Sequence, residues 1–406
     1  MKLSLKKPEL MAPAGNRTML TAAVQSGADA VYFGVDKLNM RAKADNFTLR
    51  QLPAVVKYCH DHRVKAYLTL NTIVYERELR LLDRIITVAK KAKIDMIIAW
   101  DYAVIERCKK HKIPFCISTQ ASLSNSDALK FIKRIGAKRV VLARECSLKD
   151  IKKIRRKSNF ELEAFIHGAM CIAVSGRCFL SHEMFGKSAN RGECYQSCRR
   201  EYEMKDTKLD QSIIVGSDYI LSSKDLCTIE FIDQLIDAGI DAFKIEGRKR
   251  SPDYVATVTA VYRKAIDLHI EKKLTGEIKR QLFEELKAVY NKGFTDGFYF
   301  QKPDQESIAN KENSEATEKK EYIGKVINYY KKNHVVHARI ESGRLHVKDK
   351  ILLIGPTTGV VGITVEQILL NNQPVSRAAK GTDITFSCES QVRMNDKIYL
   401  VRPVIS

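Results

Sequence analysis

The stretch 139-RVVLARECSLKDIKKIRRKSNFELEAFIH-167 decides the reading of the fold. Two short apolar runs, RVVLAR at 139–144 and ELEAFIH at 161–167, flank a longer basic helix-like segment. Strand, helix, strand is the repeating unit of a parallel sheet. Working outward, the same alternation recurs. ELMAP at 9–13, AVYFG at 30–34, KAYLTLN at 65–71, MIIAWD at 96–101 and FCISTQ at 115–120 come before it, and AFKIE at 242–246 follows. Between most of these runs lie amphipathic stretches such as LRQLPAVVKYCHDH and ELRLLDRIITVAKKA. Eight strands and eight helices predict an α/β chain folded as a (β/α)8 barrel of the TIM type. A doubly wound open sheet ranks behind it, because no GxGxxG follows the first strand.

The rhythm breaks once, over residues 168–241, and an insertion after strand 7 at about 168–222 accounts for the excess. The next helix is expected at SSKDLCTIEFIDQLIDAG, where Ser222 and Asp225 have capping-box spacing and Gly239 ends the segment. Loops after strands form the functional face of such barrels, so the insertion belongs at the mouth.

That insertion holds Cys171-x6-Cys178-x15-Cys194-x3-Cys198. Four thiolates can bind zinc or an iron–sulfur cluster. Zinc sites favour tight paired knuckles, and only the last pair here is close, so the spacing favours iron–sulfur; unligated buried thiols are the third reading. The Cys-x3-Cys-x2-Cys arrangement of radical enzymes is absent. Cys59, Cys108, Cys116, Cys146 and Cys388 lie among apolar residues and read as packing thiols. Cys227 falls in the first turn of the helix expected after the insertion, where the dipole lowers a thiol pKa; it could be a substitute fourth ligand or a redox thiol, and a buried neighbour of the cluster is the favoured reading.

A second constellation lies at the strand ends: Asn71, Asp101, Gln120, Arg144, His167 and Glu246. Polar caps explain some of them, but together they predict a polar pocket. The turn EGRKRS adds Arg248, Lys249 and Arg250, and Arg144 with Arg248 could clamp a small dianion.

The chain has 406 residues, 45% of them hydrophobic, and 69 Lys and Arg against 48 Asp and Glu, a formal charge of +21. Such an excess favours a polyanionic partner, nucleic acid before an acidic membrane. The runs KKIRRK at 152–157 and CRR at 198–200 are candidate phosphate contacts, though solvated helix surface explains such runs more often. MKLSLKKPELMAPAGN has no signal-peptide run and no stretch approaches a membrane span, so a cytoplasmic protein with reduced thiols is expected. Residues 1–302 are expected to form the barrel and 303–321, polar and charged, a linker. Closely spaced β runs over 322–406 predict a small β-barrel domain. HEMFG at 182–186 lacks the second histidine of a zinc-protease helix, and no GxSxG occurs.

EAFIHGAMCIAVSGRCFLS at 163–181 resembles the signature of the collagenase-like peptidase family U-32. LMAPAGN, SGADAVYFG, NRGECYQSCRREY, SSKDLC and KIEGRKRSPDYV are similar to further blocks, so the resemblance spans nearly the whole chain. Despite its name, the family implies oxygen-independent hydroxylation with a 4Fe–4S cluster. The branch most similar in length and domain order is prephenate-dependent and forms 5-hydroxyuridine at the wobble position of tRNA. Other branches hydroxylate a ribosomal RNA cytidine or a ubiquinone precursor, and a true peptidase is the remaining alternative. The resemblance implies cluster ligands at Cys171, Cys178, Cys194 and Cys198, with Cys227 able to replace the last. It places Glu163 among the pocket candidates, makes prephenate, a small dicarboxylate, the co-substrate and tRNA the partner, and leaves room for a homologous partner subunit.

Overall fold

A computed structural model describes residues 6–200, 202–206, 208, 211–215, 221–309 and 314–404. Strands β1 (Glu9–Pro13), β2 (Ala30–Phe33), β3 (Lys65–Leu70), β4 (Met96–Ala99), β5 (Phe115–Ile117), β6 (Arg139–Val141) and β7 (Glu161–Ala169) follow the apolar runs of the sequence. They alternate with helices α1 (Arg17–Gln25), α2 (Leu52–Asp61), α3 (Leu79–Lys91), α4 (Tyr102–Lys110), α5 (Ser126–Arg134) and α6 (Leu148–Lys157). The helices form because each has one apolar stripe to bury: Leu82, Ile85, Ile86 and Ala89 of α3 face the sheet at helical spacing. Side chains of Asn16, Asp101, Asn125 and Ser147 accept from backbone N–H groups of the first turn and fix where α1, α4, α5 and α6 begin.

After β7 the chain runs through a short helix α7 (Leu180–Phe185), a hairpin of β8 (Tyr202–Asp206) and β9 (Gln211–Val215), and strand β10 (Asp225–Cys227) before α8 (Ile232–Asp237). Strand β11 (Ala242–Ile245) then pairs in parallel with both β1 and β7, closing the barrel. Helices α9 (Pro252–Ile270) and α10 (Gly276–Lys287) complete the outer ring, and a two-residue strand β12 (Phe294–Thr295) extends the sheet beside β10.

Two local expectations are corrected. Asp225–Cys227, expected to open a helix, is a strand antiparallel to the end of β7, with Asp225 opposite Ala169 and Cys227 opposite His167. The long β7 offers a free edge there, and pairing with it outweighs the local capping signal. In the stretch 303–321, expected as a linker, the described residues on both sides of 310–313 are tied down, Ala309 N–H donating to Ser222 O (2.7 Å) and Glu315 N–H to Asn291 O (2.9 Å). Strand β13 (Glu318–Tyr330) already begins inside that stretch.

The C-terminal residues continue as β14 (Val335–Ile340), β15 (Arg344–His346), β16 (Lys350–Gly355), β17 (Gly359–Thr364), β18 (Ile368–Leu370), β19 (Gln373–Val375), β20 (Arg377–Ala379), β21 (Asp383–Ser387) and β22 (Lys397–Pro403). They form an eight-stranded antiparallel sheet, ordered β17-β16-β22-β13-β14-β21-β18-β19, and a two-stranded sheet of β15 and β20. One apolar core, with Val326, Val336, Ile351, Leu353 and Ile398, underlies these strands and is separate from the barrel core. The domain rests on the outer wall of the barrel: Thr21 Oγ1 of α1 donates to Pro356 O at 2.7 Å, and Lys320 pairs with Asp253 of α9.

Candidate active site at the barrel mouth

The four insertion cysteines line one space of about 790 Å3, together with Arg41, Arg144, Arg199 and Lys249. Gly176 and Gly192 allow the chain to wrap so closely. Both have positive φ, and a Cβ on Gly192 would lie 2.2 Å from the Asn39 carbonyl oxygen. The Cys198 thiol is pushed up to about 11, by burial first, with Arg199 opposing and Cys171, Cys194 and Cys178 adding to the rise. Four sulfurs that would repel one another as thiolates are a donor set suited to a positively charged inorganic centre. Among the described residues, no three His, Cys, Asp or Glu side chains converge closely enough to hold a single ion. Four thiols lining one space could hold an inorganic centre.

Cys227 lies elsewhere. It is buried in β10, its Sγ 3.8 Å from the Tyr262 hydroxyl, and burial pushes its thiol up to about 12. The helix-dipole argument for it falls with the helix. The five thiols read as packing residues, Cys59, Cys108, Cys116, Cys146 and Cys388, are all buried.

A second space of about 480 Å3 shares Met40, Arg41, Arg144 and Ser175 with the first. Of the predicted pocket residues, Asn71, Gln120, Arg144, Glu246 and Arg248 line it. Glu246 accepts from Arg41 Nε (3.2 Å) and Nη2 (2.9 Å). Burial alone would raise its carboxyl, but Arg41, Arg144 and Arg248 outweigh that and hold it at about 2. Burial lowers the Arg248 guanidinium to about 10; its Nη1 donates to Asn39 Oδ1 and Thr69 Oγ1, both at 3.0 Å. Arg144 Nη1 donates to Ala169 O at 3.0 Å, and its guanidinium lies 4.0 Å from the centre of the Phe165 ring. The Nε atoms of Arg144 and Arg248 are buried without a hydrogen-bond partner. Three guanidinium groups facing one carboxylate leave an excess of positive charge, so the space suits an anion.

Three predicted residues are placed differently. Asp101 caps α4, accepting from Ala103 N–H at 2.8 Å, and also accepts from Val74 N–H at 2.9 Å. His167 is buried against Tyr254, Tyr262 and Phe294, and burial, then Arg250, lowers its imidazole to about 3. It is a neutral core residue. Glu163 is buried inside the barrel, accepting from Lys244 Nζ at 2.9 Å and from Arg139 Nη1 at 3.4 Å. Arg139 Nη1 reaches Glu9 Oε1 at 2.6 Å. Charged residues therefore run through the barrel from Glu9, at the start of β1, to Lys244, which lines the anion space. Of the basic turn, Arg250 is bound to Asp225 Oδ2 (2.8 Å). Arg199, a candidate phosphate contact, donates inward to Met170 O (3.0 Å) and Ser222 Oγ (3.1 Å).

Sequence reasoning missed Arg41, Lys244 and Tyr32. Arg41 sits on an irregular loop without periodic signal, whereas Lys244 was visible as a cation within the apolar run AFKIE. The Tyr32 hydroxyl lies 3.4 Å from Glu246 Oε2, and Lys244 Nζ stands 4.5 Å from the centre of the Tyr32 ring.

The sequence pattern of peptidase family U32 matches residues 15–309. The chain belongs to this family. It is 41% identical over 403 residues to a collagenase of Porphyromonas gingivalis, covering 96% of this chain and 97% of that one. It is 37% identical to tRNA hydroxylation protein P1 of Bacillus subtilis, over 89% of this chain and 87% of that one. It is also 35% identical to the 23S rRNA 5-hydroxycytidine synthase of Escherichia coli, over 73% of this chain and 46% of that one. Among the described residues, no helix is long and apolar enough to cross a membrane.

Proposed function

We propose that this chain is an RNA-modifying hydroxylase that forms 5-hydroxyuridine at the wobble position of tRNA, with prephenate as co-substrate. Cys171, Cys178, Cys194 and Cys198 would hold a 4Fe–4S cluster. The observation that carries the reading is the shared wall: Arg41 and Arg144 line both the four-cysteine space and the anion space. A redox centre and a dicarboxylate would thus be neighbours. The cluster, when bound, supplies electron transfer beside the anion.

The chain's own residues have definable tasks. Arg144 and Arg248, each with an unsatisfied Nε, would grip carboxylates, and Glu246 holds Arg41 in place. Asn71 and Gln120 line the same space, where side-chain amides can read the edge of a base. Gln120 is buried and held by Ser118 Oγ and the Asn71 carbonyl. Relatives named for tRNA and rRNA hydroxylation support the substrate class. A cysteine peptidase needs a base within hydrogen-bond reach of its thiol. Among the described residues, no histidine is hydrogen-bonded to any of the four insertion thiols.

Mass spectrometry of nucleosides from a deletion strain tests the reading: 5-hydroxyuridine and its derivatives should vanish from tRNA and return on complementation. An unchanged tRNA pool with loss of a hydroxycytidine from ribosomal RNA would move the assignment to that branch. No change in either sinks it.

A further inference from the structure

The loops around the mouth carry paired cations and rings. The Arg177 guanidinium lies 4.3 Å from the centre of the Trp100 ring, that of Arg191 4.7 Å from Tyr75, and Lys43 Nζ 3.0 Å from Tyr195. One member of each pair comes from the cysteine insertion. The other comes from a different barrel element: Lys43 from the loop after β2, Tyr75 from the loop after β3, and Trp100 from the end of β4. The pairs therefore line the arc of the entrance above β2, β3 and β4, which are neighbours in the barrel. Tyr75 and Tyr195 are exposed, and Arg177 has no carboxylate partner among the described residues. An aromatic ring with a guanidinium over it offers a flat, cationic surface, which a nucleobase can extend by stacking. Bases inside a duplex have no free faces, whereas those of a loop do.

Resting on the RNA reading above, the geometry points to this rim as a docking surface for unpaired RNA bases, with the Trp100–Arg177 pair as a principal stacking platform. The rim receives the bases flanking the modified one. An acidic protein segment would use the same cations without needing the rings, and it is the competing outcome.

Trp100 is the chain's single tryptophan, so its emission reports on this surface alone. Full-length protein, purified without oxygen, is titrated with a short RNA hairpin bearing a single-stranded loop, and with the same stem as a blunt duplex. The hairpin should change Trp100 emission saturably, and the duplex should not at equal concentration. Arg177→Ala should weaken hairpin binding about tenfold while leaving iron content and the visible spectrum unchanged. Arg177→Lys, which keeps the charge but loses the plane, should recover only a small part of that loss. Equal binding of duplex and hairpin, silent emission at saturating hairpin, full recovery by Arg177→Lys, or displacement of the hairpin by a poly-glutamate peptide that quenches equally would overturn the proposal. Failure of the rim is separable from failure of the hydroxylase reading. A silent Trp100 in a protein whose deletion removes the modified nucleoside refutes only the rim, and unchanged nucleosides refute only the hydroxylase.

Discussion

Lys244 Nζ lies 2.9 Å from Glu163 Oε1 in the barrel interior, and both residues are almost wholly buried. Removing Lys244 leaves the Glu163 carboxylate, in a poorly solvated place, with only the longer 3.4 Å contact to Arg139. Lys244→Ala should therefore cost about 3–5 kcal/mol, read as a lowered urea midpoint. The double variant Glu163→Leu with Lys244→Met should cost less than the sum of the single changes. Additive losses would show that the two groups do not act as a pair.

Arg144 borders both spaces and has an unpartnered Nε. Arg144→Ala should weaken prephenate binding by about 2 kcal/mol, roughly 30-fold, as measured by calorimetry on the iron-loaded protein. Unaltered affinity would place the dicarboxylate elsewhere.

The cysteines divide into two groups by surroundings. Cys171→Ala, Cys178→Ala, Cys194→Ala and Cys198→Ala should each lower iron and sulfide content and bleach the visible spectrum of protein prepared without oxygen. Cys227→Ala should keep the iron, because that thiol faces Tyr262 and not the four-cysteine space. Loss of iron in Cys227→Ala with retention in Cys198→Ala would reverse the assignment of the fourth ligand.

His167 gives the fold a dependence on acid. Burial holds its imidazole at about 3, well below the unfolded value near 6.5. As pH falls from about 6.5 towards 3, the unfolded chain takes up a proton that the folded one refuses. The stabilisation present above this window is lost within it, by at most about 1.4 kcal/mol per pH unit. Urea midpoints measured across that range should fall less steeply for His167→Gln than for the parent protein. Identical slopes would contradict the buried neutral state.

The barrel was legible because each strand is an apolar run bounded by an amphipathic stretch, and β1 to β7 and β11 fall on the runs quoted. Four strand-end residues, Asn71, Gln120, Arg144 and Glu246, line one space because a strand's end fixes its neighbour's height in the barrel, and Arg248 joins them from the turn after β11. Asp101 shares that position, but its carboxylate is consumed by two backbone N–H groups. His167 faces outward to Tyr262, an orientation set by the pleat and the bulge near Ile245 and invisible to apolar counting. Asp225–Cys227 carries a local helix-start signal that only the distant β7 overrides. Arg41 and the rim pairs join residues far apart in the chain, and no spacing rule reaches them.

The charged file inside the barrel has a further implication. Glu9, Arg139, Glu163 and Lys244 alternate in sign, and beyond Lys244 come Glu246 and then the three guanidinium groups of the mouth. The series thus stops on an uncompensated cation facing the entrance. An arriving anion would be the member that completes the alternation, set against the guanidinium groups of Arg41, Arg144 and Arg248.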